Sequence, residues 1–155
     1  MNKSKMKIIY RASTAICVCL LFAATLLVIL NWRQIPSEIP VHYNFHGEVN
    51  RYGGKGSLIF MMLMAWVLLA VFSVITKCPN SWNMPVKVTD ENRDRLYRIT
   101  ETMLETVKLI ACLLFVVMLV NISTVMMLPQ WIIMVLVIAM MLVIIVSIYL
   151  MYKNR

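Results

Sequence analysis

The sequence contains few charged residues, and three long stretches of it contain none. Only 14% of the residues are charged, whereas about 25% is typical of a soluble domain. No Asp, Glu, Lys or Arg occurs within residues 12–32, 56–76 or 109–152. A helix needs about 20 apolar residues to cross the hydrocarbon core of a bilayer. These stretches exclude an ordinary soluble domain, and the first two predict one membrane-spanning helix each.

The third stretch is about twice as long as one span requires. The sequence LPQW at Leu128–Trp131 interrupts it, and Pro129 cannot continue a helix. We therefore predict two helices joined by a tight turn there. The segment NWRQIP after the first span lacks a small-residue cleavage site, so that span is predicted to be an uncleaved anchor. The four predicted spans lie at about 12–31, 57–76, 107–128 and 131–151.

Cysteine and glycine are also scarce, with four of each. No cysteine lies in the loop 32–56, which excludes a disulfide framework there. No Cys/His spacing typical of a zinc site occurs anywhere in the chain. All four glycines lie within residues 47–56, so this one loop holds an unusual concentration of turn signals.

The basic residues are distributed asymmetrically. Three of the 15 lie in the loop 32–56, and the other twelve lie before the first span, within 77–108, or after the last span. An excess of Lys and Arg marks the cytoplasmic loops of membrane proteins. We therefore predict an all-α integral membrane protein, one domain over 1–155, with four transmembrane helices, both termini in the cytoplasm and a structured extracellular loop at 32–56. The same distribution explains the net charge of +8 without a nucleic-acid partner.

The predicted cytoplasmic segment 77–106 contains a second charged element. Thr89 or Asp90 can cap a helix that continues into the third span. Apolar residues recur at helical spacing on one face of it, and Glu101 and Glu105 lie on the opposite, charged face. We interpret residues 90–106 as a solvated extension that packs on its neighbours, or as a docking surface for a cytoplasmic regulator. Because the spans themselves carry no ionisable side chain, active transport through this bundle alone is not expected.

The outer loop alternates between apolar and polar residues. One face of an extended strand would carry Ile39, Val41, Tyr43 and Phe45, and the other would carry His42, Asn44 and His46. Gly47 permits a turn before Glu48, and Tyr52–Gly56 is predicted to be a flexible return to the second span. The expected result is a short extended segment that covers the outer mouth of the helices.

The candidate binding residues of this loop are His42, Asn44, His46, Glu48 and Lys55. His42, His46 and Glu48 have the ligand types of a zinc or copper site. The two histidines would be about 13 Å apart along an extended strand, so they could share a metal only if the chain bends. A His/Glu pair could also serve acid–base catalysis, although no nucleophile motif accompanies it. In the third interpretation, the polar side chains hydrogen-bond the loop to itself or to helix ends.

The segment WRQIPSEIPVHYNFHGEVNRYGGK, Trp32–Lys55, resembles the signature of a widespread bacterial membrane family catalogued as domain of unknown function 1648. That family is found at the start of the SdpI-type immunity proteins. The segment Asn83–Arg98 is similar to the one that follows the second span in small members. The positions that fall on the family pattern are Pro36, Pro40, His42, Asn44, Gly47 and Lys55.

The resemblance implies a multi-pass protein of the bacterial cell membrane. Its SdpI-type relatives imply protection against a secreted toxic peptide and retention of a repressor at the membrane. We therefore expect a non-enzymatic protein that acts in peptide-toxin immunity, sensing or envelope-stress signalling. It would bind a secreted peptide at the outer loop and a cytoplasmic regulator at 90–106. The alternatives are a membrane metal-binding protein or enzyme that uses the His/Glu loop, and an accessory subunit of a transporter.

Overall fold

The computed structural model describes residues 3–44, 48–124, 129 and 131–155. Helix α1 (Lys3–Asn31) is followed by strands β1 (Glu38–Tyr43) and β2 (Val49–Gly54), and then by α2 (Ser57–Ile75), α3 (Arg93–Thr124) and α4 (Trp131–Lys153). All four helices are long and apolar enough to cross a membrane. The predicted fold class is therefore confirmed, since the structure is mainly helical with four potential spans.

Helix α3 is the centre of the bundle. It packs against α1, α2 and α4, whereas α1 and α2 contact each other much less. Helix α4 packs mainly on α3, and most of its surface is not covered by protein. This arrangement leaves a broad apolar surface for lipid, as expected for helices whose solvent is a bilayer.

Side-chain contacts fix the directions of the helices. Tyr10 of α1 lies beside Thr102 of α3, and Thr14 lies beside Lys108 further along both helices, so these two helices run in parallel. Helices α2 and α4 run the opposite way, and the end of α4 at Tyr152 lies near the start of α3. We call the end that holds the starts of α1 and α3 the basic end, and the opposite end, which holds β1 and β2, the hairpin end. The positive-inside rule predicts that the basic end is cytoplasmic.

A continuous apolar core extends from the hairpin along the bundle to the level of Cys17, Leu69 and Cys112. Ile35 and Ile39, both 2% exposed, belong to the same buried cluster as helix residues from α1, α2 and α3. The cluster therefore begins under the hairpin and continues along the inner faces of three helices. Its helix members are Cys17, Leu21, Ala24, Val28, Leu58, Ala65, Leu69, Cys112 and Leu119.

Two helix boundaries differ from the sequence-based expectation. Helix α1 begins at Lys3, well before the predicted first span. Helix α3 runs without a break into the bundle, as predicted, but it begins at Arg93, directly after Asn92. The Arg93 N–H donates a 2.9 Å hydrogen bond to the Thr89 carbonyl, and Asn92 Oδ1 accepts a 2.8 Å hydrogen bond from the Thr89 N–H. The turn that begins at Thr89 therefore leads directly into α3.

The predicted turn at Leu128–Trp131 lies partly outside the described residues. Of this segment, the structure describes Pro129 and Trp131. The Pro129 carbonyl accepts a 3.1 Å hydrogen bond from the Ile132 N–H, in the first turn of α4. Helix α4 begins at Trp131, two residues after this proline.

The outer loop forms a hairpin instead of a single strand. β1 and β2 pair antiparallel, with Glu38 opposite Gly54 and Ile39 opposite Gly53. The expectation of a flexible return over Tyr52–Gly56 is therefore wrong, since Tyr52–Gly54 belongs to β2. Backbone pairing with β1 orders this segment.

Candidate functional site

The hairpin is seated on the helices by its apolar residues. Ile39 of β1 is buried in the shared core and Val41 is half-buried, as the alternating pattern predicts. Pro40 lies opposite Tyr52 in the ladder, and Pro36 is exposed in the link from α1. Since the sheet has two strands among the described residues, each strand has an edge without a described strand partner, and such an edge tolerates a residue without an N–H. The hairpin thus packs on the helices through its apolar residues.

His42 lies on the exposed face of β1. Its Nδ1 is 2.6 Å from Asn50 Oδ1 on β2. A carbonyl oxygen can only accept a hydrogen bond, so Nδ1 carries the hydrogen and donates it. The strand register is irregular on both sides of His42, which is a common device for redirecting a side chain. The imidazole is therefore fixed through one nitrogen, and Nε2 forms no hydrogen bond with a described residue.

Asn44 and Glu48 close the tip of the hairpin. The Asn44 backbone N–H donates to the Glu48 carbonyl, and Asn44 Nδ2 donates to Glu48 Oε2, both at 2.9 Å. The Glu48 N–H donates in turn to Asn44 Oδ1 at 2.9 Å. These bonds agree with the interpretation that polar side chains hold the loop to itself. The remaining candidates of the tip, His46 and Gly47, lie outside the described residues.

Lys55 fastens the end of the hairpin to the end of α1. Its ammonium group lies 5.2 Å from the ring centroid of Trp32 and donates a 3.4 Å hydrogen bond to the Trp32 carbonyl. Its backbone N–H donates to the Ser37 carbonyl at 2.9 Å. A cation is favourable near the carboxyl end of a helix and over an indole face. Lys55 therefore has a positioning role in the hairpin.

A metal centre finds little support in the described part of the chain. No group of three His, Cys, Asp or Glu side chains lies close enough there to hold a metal ion. The described candidates are His42 and Glu48, and each is engaged by a neighbouring amide. The hairpin surface instead offers hydrogen-bonding groups, with the exposed cation Arg51 next to them.

Sequence reasoning missed a buried ion pair near the basic end. Lys108 Nζ lies 2.6 Å from Glu105 Oε2, and the two side chains are only 1% and 7% exposed. Nζ also donates a 2.7 Å hydrogen bond to Thr14 Oγ1 of α1. Oε2 receives no hydrogen bond of good geometry from any described residue, so its contact with Lys108 is ionic.

This pair corrects two expectations. Glu105 does not lie on a solvated face, because α1 runs beside α3 at this level and covers it. Lys108 falls at the start of the predicted third span, so the spans do not lack ionisable side chains. The sequence did contain a signal for this ion pair. Glu105 and Lys108 are three residues apart at the edge of a charge-free stretch, and this spacing places both side chains on one helix face.

A second acid faces the same seam between α1 and α3. Burial raises the pKa of Glu101, the negative charge of Glu105 raises it further, and Lys7 of α1 opposes both effects. One helical turn after Lys7 in α1, the hydroxyl of Tyr10 lies 3.0 Å from Thr102 Oγ1. The seam therefore concentrates polar groups at the basic end of the bundle.

A family comparison places the hairpin inside a known domain. Residues 19–72 match the model of the family described as "Domain of unknown function (DUF1648)". The match includes the C-terminal part of α1, the whole hairpin and most of α2, and it ends before α3. No curated protein and no solved structure matches the chain. Residues 19–72 of this chain are therefore similar to the DUF1648 domain.

Proposed function

We propose that this multi-pass membrane protein is a non-enzymatic receptor that binds a secreted peptide or an envelope component at its hairpin. Binding would be transmitted to the basic end and would serve immunity, sensing or envelope-stress signalling. The observation that carries the proposal is the continuous core. Ile39 of the hairpin is buried in the same cluster as Leu58 of α2 and Leu119 of α3. A ligand that moves the hairpin must therefore disturb the packing of the helices.

The hairpin has the features that a peptide would need. Its sheet has two strands only, so one edge of β2 has no strand partner among the described residues. An extended peptide can add to such an edge through main-chain hydrogen bonds. Arg51 and Tyr52 of β2 are exposed, and His42 Nε2, which bonds to no described residue, would take part in recognition. Main-chain pairing would provide affinity, and these side chains would provide selectivity.

Helix α3 supports the transmission step. It contacts every other helix, and its first turns extend the bundle at the basic end. Residues 90–106 are therefore the segment at which a cytoplasmic regulator would detect a change in packing. Leu96 is fully buried in this segment whereas Arg98 is exposed, so the segment is both packed and accessible.

The test of the hairpin compares His42→Ala with Asn50→Ala. Both variants remove the same 2.6 Å hydrogen bond, but only His42→Ala removes the imidazole. Cells that express each variant are challenged with a panel of membrane-active peptides, and the inhibitory concentrations are compared with those of unmodified and empty-vector cells. We expect the unmodified chain to protect, Asn50→Ala to protect partly, and His42→Ala to protect least. Equal protection by all three chains would contradict binding at the hairpin.

The orientation is tested separately with Ser37→Cys, an exposed position in the link before β1. The native Cys78, which is free and exposed at the basic end, is the internal control. A membrane-impermeant maleimide should label position 37 on intact cells and Cys78 only after lysis. The reverse pattern would place the hairpin in the cytoplasm and remove the proposed encounter with a secreted peptide.

A further inference from the structure

The basic end contains an open cavity of about 530 Å³ that the proposed function does not use. It lies between the segment that precedes α3, the first turn of α3 and the end of α4. Three cations from these three places line it, namely Lys87, Arg95 and Arg155. Tyr152 and the single acid Glu91 also contribute to its wall. We refer to it as the basic cavity.

The three cations form no ion pair with a described residue. Within the described part of the chain, no carboxylate forms an ion pair with Lys87, Arg95 or Arg155. Acids are available nearby, since Asp90 pairs with the neighbouring Arg93 at 2.9 Å. Like charges around one cavity repel each other, and an anion between them would relieve that repulsion.

The wall of the cavity is held in place by a buried amide. Asn92 is 4% exposed. Its Oδ1 accepts a hydrogen bond from the Thr89 N–H, and its Nδ2 donates a 3.1 Å bond to the Lys87 carbonyl. These bonds fix Lys87 beside the first turn of α3. The positive end of that helix dipole adds to the field of the cations.

The chemistry of the site favours phosphate. Two guanidinium groups can each bind phosphate oxygens in a fork, and a lysine adds a compact charge. The cavity is also much larger than one phosphate ion, so it has room for a phosphate that carries a substituent. It lies where the last charge-free stretch ends, and this is the level at which the headgroups of anionic lipids meet a membrane protein.

We propose that the basic cavity is a phosphate-binding site, filled by the headgroup of an anionic phospholipid or by a soluble phosphate compound. Its ligand would link α4 to the start of α3 at the basic end. This matters because α4 is otherwise held mainly by its packing on α3.

Two triple variants of the full chain test this proposal. The cavity variant is Lys87→Gln/Arg95→Gln/Arg155→Gln. The control variant is Lys77→Gln/Arg98→Gln/Lys153→Gln, which removes the same charge near the same end from residues that do not line the cavity. Each purified protein is placed in a neutral detergent, and native mass spectrometry measures the binding of phosphatidylglycerol, phosphatidylcholine and pyrophosphate. Circular dichroism verifies that each variant keeps its helices.

We expect the unmodified chain to retain phosphatidylglycerol or pyrophosphate in preference to phosphatidylcholine. Because each Lys or Arg near an anionic surface contributes about 1 kcal/mol, the cavity variant should bind on the order of a hundredfold more weakly. The control should stay within about threefold, and Glu91→Gln should bind more tightly, since it removes the acid from the wall.

The two ligands distinguish the source of the phosphate. Selective loss of phosphatidylglycerol in the cavity variant identifies a lipid headgroup, and selective loss of pyrophosphate identifies a soluble compound. Equal weakening in both triple variants would show a general effect of surface charge and would overturn the proposal. A cavity variant that binds as well as the unmodified chain would also overturn it. Neither result would bear on peptide binding at the hairpin, which lies at the opposite end of the bundle.

Discussion

The buried pair Glu105–Lys108 gives the sharpest prediction about stability. At 2.6 Å, the Coulomb attraction is about 6 kcal/mol with an effective dielectric constant of about 20. Burial of each ion opposes it by several kcal/mol, so the net contribution of the intact pair is small. Removing one partner is different, because the other charge then stays buried without compensation. We therefore expect Lys108→Met or Glu105→Leu alone to destabilise the fold by about 3–5 kcal/mol.

The double variant Glu105→Leu/Lys108→Met should recover most of this loss. It replaces both ions with apolar side chains of similar volume, a change that is often neutral or stabilising by about 1–4 kcal/mol. The assay is the reversible unfolding of the purified chain in mixed micelles, with dodecyl sulfate as denaturant and circular dichroism as the signal. The matched control is Asp90→Asn, which breaks another pair of spacing three in side chains that are 54% and 92% exposed. It should change the free energy of unfolding by less than about 0.5 kcal/mol.

Thr14 extends the same test to α1. Its hydroxyl accepts the 2.7 Å hydrogen bond from Lys108, and it donates to the Tyr10 carbonyl at 3.0 Å. Thr14→Val should destabilise by about 1.5–3 kcal/mol, the range for a hydrogen bond to a charged group, whereas Thr14→Ser should retain most of the stability. The reasoning would be refuted if the single charge variants unfolded like the unmodified chain, or if the double variant were as unstable as the sum of its parts.

Two further predictions concern the hairpin and the α1–α3 seam. A Cβ at Gly53 would lie 2.9 Å from Val41 Cγ1, whereas a Cβ at Gly54 would have no atom within 4 Å. Because a β-branched side chain is stiff, Gly53→Ala should destabilise the hairpin by about 1–3 kcal/mol and Gly54→Ala should have little effect, as measured by amide hydrogen exchange. At the seam, burial and then the charge of Glu105 raise the pKa of Glu101, so the folded protein loses stability as the pH rises past the ordinary pKa of a glutamate. Glu101→Gln should therefore raise the melting temperature at pH 7 and have no effect well below pH 4, and an equal gain at both pH values would contradict this.

The four helices and the apolar seat of the hairpin could be predicted from the sequence. A charge-free stretch of about 20 residues has few other stable forms in a bilayer. The alternation around Ile39 and His42 correctly assigned one buried and one exposed face to β1. Each of these predictions depends on local pattern alone.

The second strand and the buried ion pair could not be predicted in the same way. The sequence VNRYGG shows no clear alternation, because β2 is mostly exposed and is ordered by its hydrogen bonds to β1. The burial of Glu105 depends on α1, and the residue that hydrogen-bonds Lys108 is 94 positions away. A helical wheel assigns a charged face to solvent, but a central helix that packs against three others has little solvent-facing surface at that depth.

The central position of α3 also has a consequence for biogenesis. The segment that matches the DUF1648 model ends at residue 72 and is synthesised before α3. Helices α1 and α2 form few contacts with each other and depend on α3 for most of their packing. We therefore expect the first two spans to remain loosely associated in the membrane until α3 is synthesised and packs against both of them. A nascent chain truncated before Arg93 should remain protease-sensitive in its hairpin, and one that extends through Thr124 should acquire protection.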